Sequence, residues 1–253
     1  DVKRNPALDG LRALAVGAVV VFHTSPAAHG GFVGVDVFFV ISGFLITTLL
    51  LAELDRTGRV DLKAFYLRRA LRLLPALLLM IALTLPLMLT TLRHTVLMPP
   101  ALAVGSALFY VANWANVIVG TGTGPLTHTW SLSIEEQYYL LWPVVLVAVV
   151  ARGRHAALVR GLAVAIVAVV VSRALIRETS HAQWLFYATT SRGDGLLLGT
   201  LLAVVLWRLP TGRLLSPGWS EGAAWAGLAG LGACMLLLRP DGGATYVSGL
   251  LAA

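Results

Sequence analysis

The chain has 253 residues, of which 58% are hydrophobic and only 12% charged, and its mean hydropathy is +0.83. A typical soluble domain carries about 25% charged residues, so this composition excludes a soluble fold and predicts an integral membrane protein. The formal net charge of +7 would suggest nucleic-acid binding in a soluble protein. Here the basic residues gather at the ends of apolar runs, as in cytoplasmic loops that face anionic lipid, and we expect no nucleic-acid partner. The single cysteine, Cys234, excludes an intrachain disulfide, and we expect no metal ion.

Apolar runs recur along the whole chain at lengths close to the roughly 20 residues that a membrane-spanning helix needs. Eight runs cover residues 8–24, 34–54, 71–92, 96–119, 133–150, 158–176, 195–209 and 222–238, and a ninth starts near Thr245. We therefore predict an all-α, polytopic transmembrane helix bundle of about eight to nine spans, forming a single domain over residues 1–253. A cleaved signal peptide is the alternative for the first run. The chain begins without Met and stops inside an apolar stretch, so we expect a C-terminally truncated segment of a longer protein.

The basic residues also predict the orientation of the spans. Lys3 and Arg4 precede the first run, and six basic residues lie within 56–72, so both segments should be cytoplasmic. Strict alternation would then place the uncharged 120–129 loop inside and the arginines of 152–160 outside, which the rule disfavours. A re-entrant segment between the third and fifth runs would resolve this conflict.

Three ionisable residues near the first two spans are candidates for chemistry, because charged groups inside spans are costly. Arg12 and His23 are eleven residues apart, which on a helix places them on one face, about 16 Å apart along the axis. Asp36, just inside the second run, should face back toward His23, and a carboxylate there would orient the imidazole and raise its basicity. The structural alternative is a snorkelling arginine, a histidine at the outer boundary and a carboxylate favoured by the helix dipole.

Two further groups of charges flank apolar runs. Arg68, Arg69 and Arg72 have i, i+3 and i, i+4 spacing, and clustered guanidinium groups match the geometry of phosphates. The alternative is an anchor for lipid headgroups. Arg192 and Asp194 precede the seventh run and could form only a local ion pair.

The segment from His128 to Pro143 combines acidic and aromatic residues at the start of the fifth run. Ser133 and Glu136 fit an S-x-x-E capping box, which would give Glu136 a structural role. Glu135 has no such role and is the candidate for chemistry. Trp130 and its aromatic neighbours fit an interfacial belt equally well.

Taken in order, these motifs resemble the family-3 membrane acyltransferases of bacteria, the O-acetyltransferase-like group. The resemblance covers about residues 5–210 and depends on several segments together. They are the opening 5–15, the R-x10-H pattern of Arg12 and His23, the second-span motif 34–43, the R-x-x-R of Arg69 and Arg72, the Trp-Ser-Leu-x-x-Glu segment with Glu135 at the glutamate, and a looser later motif at Arg192 and Asp194.

The resemblance implies transfer of an acyl group, most simply acetyl, from acyl-CoA at the cytoplasmic face to a hydroxyl of an envelope or secreted glycan. It implies a multi-pass protein of the bacterial cytoplasmic membrane, with acyl-CoA as co-substrate and no permanently bound cofactor. The implied catalytic residues are His23, Asp36 and Glu135, and the implied donor-binding residues are Arg12, Arg68, Arg69 and Arg72. Further candidates are His128, Trp130, Ser133, Arg192 and Asp194.

The chemistry of the residues is compatible with acyl transfer. A general base must assist the attacking hydroxyl, and His23 suits that role by its pKa class, although it could also carry the acyl group covalently. The chain has no G-x-S-x-G elbow for a serine nucleophile. We expect a tunnel that leads from Arg12 and the cluster 68–72 to His23, with Glu135 approaching from the fifth helix. A transporter or proton pathway is the alternative function, since intramembrane charges would serve it too, and a non-catalytic assembly factor is a third reading.

Overall fold

The computed structural model describes residues 6–25, 29–90, 92, 98–120, 124–177, 182–208 and 217–238, and within these ranges all regular structure is helical. The helices are α1 Pro6–Thr24, α2 Val33–Thr57, α3 Leu62–Leu89, α4 Pro100–Leu108, α5 Ala112–Val119, α6 Thr129–Val150, α7 His155–Arg177, α8 Ala182–Tyr187, α9 Thr189–Arg192, α10 Asp194–Arg208 and α11 Pro217–Leu237. The prediction of an all-α fold is confirmed. The ninth apolar run, near Thr245, lies outside the described residues.

Five of the described helices are long and apolar enough to cross a bilayer, namely α1, α2, α3, α6 and α7. A crossing of about 30 Å needs roughly 20 residues at 1.5 Å each, and these five helices have 19 to 28 residues. The polytopic bundle is therefore confirmed, whereas the count of eight to nine spans stays a prediction.

Contacts group the helices into two compact units, each of which combines distant parts of the chain. The first unit comprises Asp1–Ala52, His155–Ser180 and Gly193–Ala253, and the second comprises Glu53–Arg154 and His181–Arg192. Long-range packing, rather than chain proximity, therefore builds each unit. The single domain over residues 1–253 stays a prediction.

In the first unit, glycines bring α2 and α10 into backbone contact. A Cβ atom on Gly43 would lie 2.0 Å from the carbonyl oxygen of Leu196, and one on Gly199 would lie 1.9 Å from that of Val40. Both distances are far inside van der Waals contact, so no larger residue fits at these positions without moving a helix. Small residues at crossing points are the usual means of close helix packing in membranes.

In the second unit, the predicted fourth span of 96–119 is not one helix. It consists of α4, with nine residues, and α5, with eight, joined by a turn at which Tyr110 adopts a positive φ of 54°. At 1.5 Å per residue each helix is under about 14 Å long, less than half the hydrocarbon thickness. The prediction of a continuous span is thus wrong. The broken pair fits the re-entrant segment that the distribution of basic residues requires.

Candidate functional site

His23 lies in the last turn of α1, and its ring contacts its own helix. Arg12 is on the same continuous helix, so the predicted spacing of about 16 Å along one face holds. The exposed ring places Nδ1 2.8 Å from the carbonyl oxygen of Val19. Because a carbonyl can only accept a hydrogen bond, we assign the proton to Nδ1. In the neutral ring Nε2 then carries the lone pair, as a general base requires.

Asp36 is buried in the first turn of α2, with 1% of its surface exposed. The polar contact that the structure shows for the His23 ring is the one between its Nδ1 and the Val19 carbonyl, and the orientation of the ring by Asp36 stays a prediction. The carbonyl of Val19 is four residues back on the same helix and within easy reach. This backbone carbonyl therefore contributes to the orientation of the imidazole.

Asp194 pairs with a residue that the sequence analysis did not single out. Its Oδ2 accepts a hydrogen bond from Nη2 of Arg173 at 2.9 Å, and the two side chains are only 2% and 1% exposed. The local ion pair expected between Asp194 and Arg192 is thus not the contact that the structure shows for Asp194. The guanidinium carbon of Arg192 lies 5.6 Å from the ring centre of Trp130 and 5.7 Å from that of Phe186.

The arginine cluster lies within α3, which begins earlier than its apolar run. The helix begins at Leu62, where the Asp61 carboxylate accepts the Ala64 N–H at 2.9 Å and caps it. One helical turn further on, Arg68 and Arg72 are exposed, whereas the side chain of Arg69 is only 16% exposed. The three arginines therefore do not present one common surface.

Arg69 forms a bidentate ion pair with Glu136 of α6. Its Nε lies 2.8 Å and 3.0 Å from the two carboxylate oxygens, and its Nη2 also donates to Oε1. The guanidinium carbon sits 3.3 Å from the ring centre of Tyr139, one turn further along α6. A carboxylate on two nitrogens and an aromatic ring on one face hold the guanidinium in a single orientation.

The predicted capping box at Ser133 is not formed. Helix α6 begins at Thr129, so Ser133 is already inside it, and its hydroxyl donates to the Thr129 carbonyl at 2.9 Å. The same oxygen accepts the N–H of Ala112 at 3.2 Å, which fixes the start of α5. This leaves Glu136 available to Arg69. The partly buried Glu135 is offset by about 100° around the helix, and its catalytic role stays a prediction.

A closed network of uncharged polar side chains joins α5, α6 and α9. Gln137 donates to the Asn113 side-chain oxygen and to the Tyr110 carbonyl, both at 2.9 Å. Thr189 donates to the Gln137 oxygen at 2.7 Å and accepts from Asn113 at 3.0 Å. The network holds the left-handed turn at Tyr110 in place. No sequence motif marks this network, because its residues are far apart in the chain and are uncharged polar types that occur in many roles.

Gln137 and Tyr110 of this network also line a cavity of about 440 Å³ in the second unit. Five aromatic side chains, one ion pair, one amide and two aliphatic residues line it: Tyr66, Phe109, Tyr110, Trp114, Tyr139, Arg69, Glu136, Gln137, Val111 and Leu140. Of the predicted site residues, only Arg69 lines this cavity. The exposed His128 places Nε2 2.9 Å from the sulfur of Met80, and Trp130 is buried against Phe186 and Tyr187.

Comparison with known proteins identifies one family over nearly the whole chain. A family model described as an acyltransferase domain matches residues 5–253. O-acetyltransferase OatA of Staphylococcus aureus strain NCTC 8325 / PS 47 is 37% identical over 214 residues, which are 79% of this chain and 34% of that protein. OatA of Staphylococcus aureus strain COL gives the same values.

The chain spans about a third of the length of these curated relatives. No solved structure matches it. The family match nevertheless extends over both compact units, and it confirms the resemblance that the ordered motifs predicted. The chain therefore belongs to the family of membrane acyltransferases that this acyltransferase domain defines.

Proposed function

We propose that this protein is an integral membrane O-acyltransferase of the bacterial cytoplasmic membrane. It moves an acyl group, which we propose is acetyl, from acyl-CoA to a hydroxyl of an envelope or secreted glycan. Membership of the acyltransferase family supports the reaction class, and the name of the similar staphylococcal proteins supports transfer to oxygen. The donor, the acceptor and the assignment of the base are part of the proposal.

The proposed mechanism depends on the hydrogen bond that orients the His23 ring. With Nδ1–H bonded to the Val19 carbonyl, Nε2 is the ring atom that can accept the proton of the acceptor hydroxyl. The hydroxyl oxygen attacks the thioester carbonyl, a C–O bond forms, and the C–S bond breaks. The imidazolium then returns its proton to the departing thiolate, so that free coenzyme A leaves and the base is regenerated. Asp36 and Glu135 stay in the proposed catalytic set.

The ion pair of Arg69 bears on which arginines we propose as ligands of the donor. Arg69 uses Nε and Nη2 on Glu136, and the carboxylate neutralises its charge. Arg68 and Arg72 are exposed on the same helix, where their guanidinium groups are accessible to phosphate. We therefore propose that Arg68 and Arg72 bind the phosphates of coenzyme A, and Arg12 stays a candidate donor ligand from the sequence.

The direct test uses purified protein in vesicles, acetyl-CoA labelled in the acetyl group, and an oligosaccharide acceptor. We expect label in ester linkage to the oligosaccharide and an equal amount of free coenzyme A. Label that crosses the vesicle membrane without entering ester linkage would instead indicate a transporter. Absence of both transfer and coenzyme A release would reject the enzyme.

The donor assignment predicts a graded loss of affinity in arginine-to-lysine variants. Replacing Arg68 and Arg72 together with lysine keeps both charges but removes the planar fork, so we expect roughly tenfold weaker binding of coenzyme A. Isothermal titration against the purified variant measures it. Arg152→Lys, which also changes an exposed arginine but outside the cluster, is the control and should bind normally. Unchanged affinity in the double variant would contradict the assignment.

A further inference from the structure

We infer that the aromatic cavity of the second unit binds the adenine ring of the coenzyme A donor. The inference rests on the proposed function and adds a subsite to it. The cavity has a volume of about 440 Å³, and half of its lining residues are aromatic: Tyr66, Phe109, Tyr110, Trp114 and Tyr139. This volume accommodates a nucleoside but not the whole coenzyme, so the cavity can take only one part of the donor.

The hydrogen-bonding groups of the cavity favour a flat ring over a polyol. Both oxygens of Glu136 accept from Arg69, and both ends of the Gln137 amide are bonded within the protein. A sugar would bury several hydroxyls here with few partners, which is costly. A purine buries two apolar faces and needs few polar contacts, and stacking on aromatic side chains suits any base.

The cavity itself has no net charge to attract phosphate, whereas two exposed arginines lie close to it on α3. Glu136 neutralises Arg69, so the cavity offers no net positive charge. Arg68 and Arg72 lie one residue before and three residues after Arg69 on α3, and both are exposed. A donor with its base in the cavity would therefore have its phosphates beside these two guanidinium groups.

The walls of the cavity form flat platforms that are already fixed. Tyr139 covers one face of the Arg69 guanidinium at 3.3 Å, and a base in the cavity would continue this stack, since guanidinium planes stack on bases as aromatic rings do. Trp114 is held by an edge-on contact with Trp184 at 5.5 Å between ring centres. Gln137 holds the Tyr110 turn at the rim. Little ordering is needed on binding, which favours affinity.

The test compares coenzyme A with 4′-phosphopantetheine, which lacks the adenine, the ribose and two of the three phosphates, by titration of the purified membrane protein. Cavity variants then separate the base from the phosphates, because they leave Arg68 and Arg72 unchanged. We expect coenzyme A to bind the unmodified protein at least tenfold more tightly. Leu140 lines the cavity and is 63% exposed, so Leu140→Trp should fill the space without disturbing the fold. This variant should lose most of the tenfold advantage and still bind phosphopantetheine normally. Leu141→Trp, at a neighbouring position that is 66% exposed and outside the cavity lining, should retain it.

Trp114→Leu supplies a second variant, which empties the cavity instead of filling it and should also reduce the preference for coenzyme A. Equal binding of the two ligands by the unmodified protein would overturn the adenine site and leave the acyltransferase proposal standing. So would a Leu140→Trp variant that raises the KM for the glycan while binding coenzyme A normally, because the cavity would then hold the acceptor. Failure of the unmodified protein to bind either ligand would overturn the proposed function itself.

Discussion

Asp194→Ala should destabilise the protein by about 3–5 kcal/mol, which should lower its unfolding temperature and its yield from the membrane. That is the usual cost of removing one partner from a buried ion pair. The Arg173 side chain is 1% exposed and that of Asp194 is 2% exposed, so alanine would remove this carboxylate from beside a buried guanidinium charge. Asp194 is also the first residue of α10, where a negative charge favours the helix. Thermal unfolding of the detergent-purified variant, followed by tryptophan fluorescence, measures the loss.

The matched control removes both charges. Arg173→Met with Asp194→Ala removes both members of this ion pair, and methionine keeps much of the arginine volume, so the double variant should be more stable than Asp194→Ala alone. Arg160→Ala, an exposed arginine on the same helix α7, should change the unfolding temperature little. If the double variant were as unstable as Asp194→Ala, the loss would come from packing at Asp194 and not from the broken ion pair.

Hydropathy predicted the long helices well because their burial in lipid depends on local composition. It did not predict which helices pack together. The contact of Gly43 with Leu196 joins positions more than 150 residues apart, and no local pattern records it. Arg173 is different, since the apolar run 158–176 holds Arg160 near its start and Arg173 near its other end, and a charged residue inside a span is a signal of functional or structural importance. Arg173 could therefore have been predicted as a site residue.

The role of Glu136 was missed because a local pattern competed with a distant partner. Ser133 and Glu136 have the spacing of a capping box, but the helix begins four residues earlier, at Thr129. Inside the helix, Glu136 and Tyr139 lie three residues apart on one face, and both contact Arg69. A lone buried charge is costly, so an acidic residue inside a span needs a basic partner. That rule would have suggested Glu136, as well as Glu135, as a partner for the arginine cluster.

The break in the predicted fourth span was also beyond local sequence rules. Neither proline nor glycine lies at 109–111, between the end of α4 and the start of α5. Tyr110 adopts its left-handed conformation because distant groups hold it, namely the Gln137 amide on its carbonyl and the Ser133 hydroxyl on the N–H of Ala112. A positive φ strains the backbone of a residue other than glycine, and this strain persists only where the surrounding structure holds the residue in place. The positive-inside rule was the one sequence signal that pointed to this segment.

His23→Ala should lower acyl transfer at least about 100-fold, because a positioned general base contributes roughly 10² to 10⁴ to the rate. The ring is exposed and its hydrogen bond is to its own helix, so the substitution should leave membrane insertion and thermal stability close to normal. That combination separates a catalytic role from a structural one. The transfer of label from acetyl-CoA to an oligosaccharide measures the rate, and the unfolding temperature of the same preparation checks the fold.

His29→Ala is the matched control, since His29 is a second exposed histidine near the same end of the first span, and its removal should leave transfer unchanged. Near-normal turnover of His23→Ala would mean that the base lies elsewhere, and the tautomer fixed by Val19 would then have no catalytic meaning. A further experiment omits the acceptor. With His23 as a base, the protein should retain no label after the donor is removed, because the acyl group never leaves coenzyme A without an attacking hydroxyl. Label held covalently on His23 would instead make Nε2 the nucleophile, and the same lone pair would attack the thioester carbonyl directly.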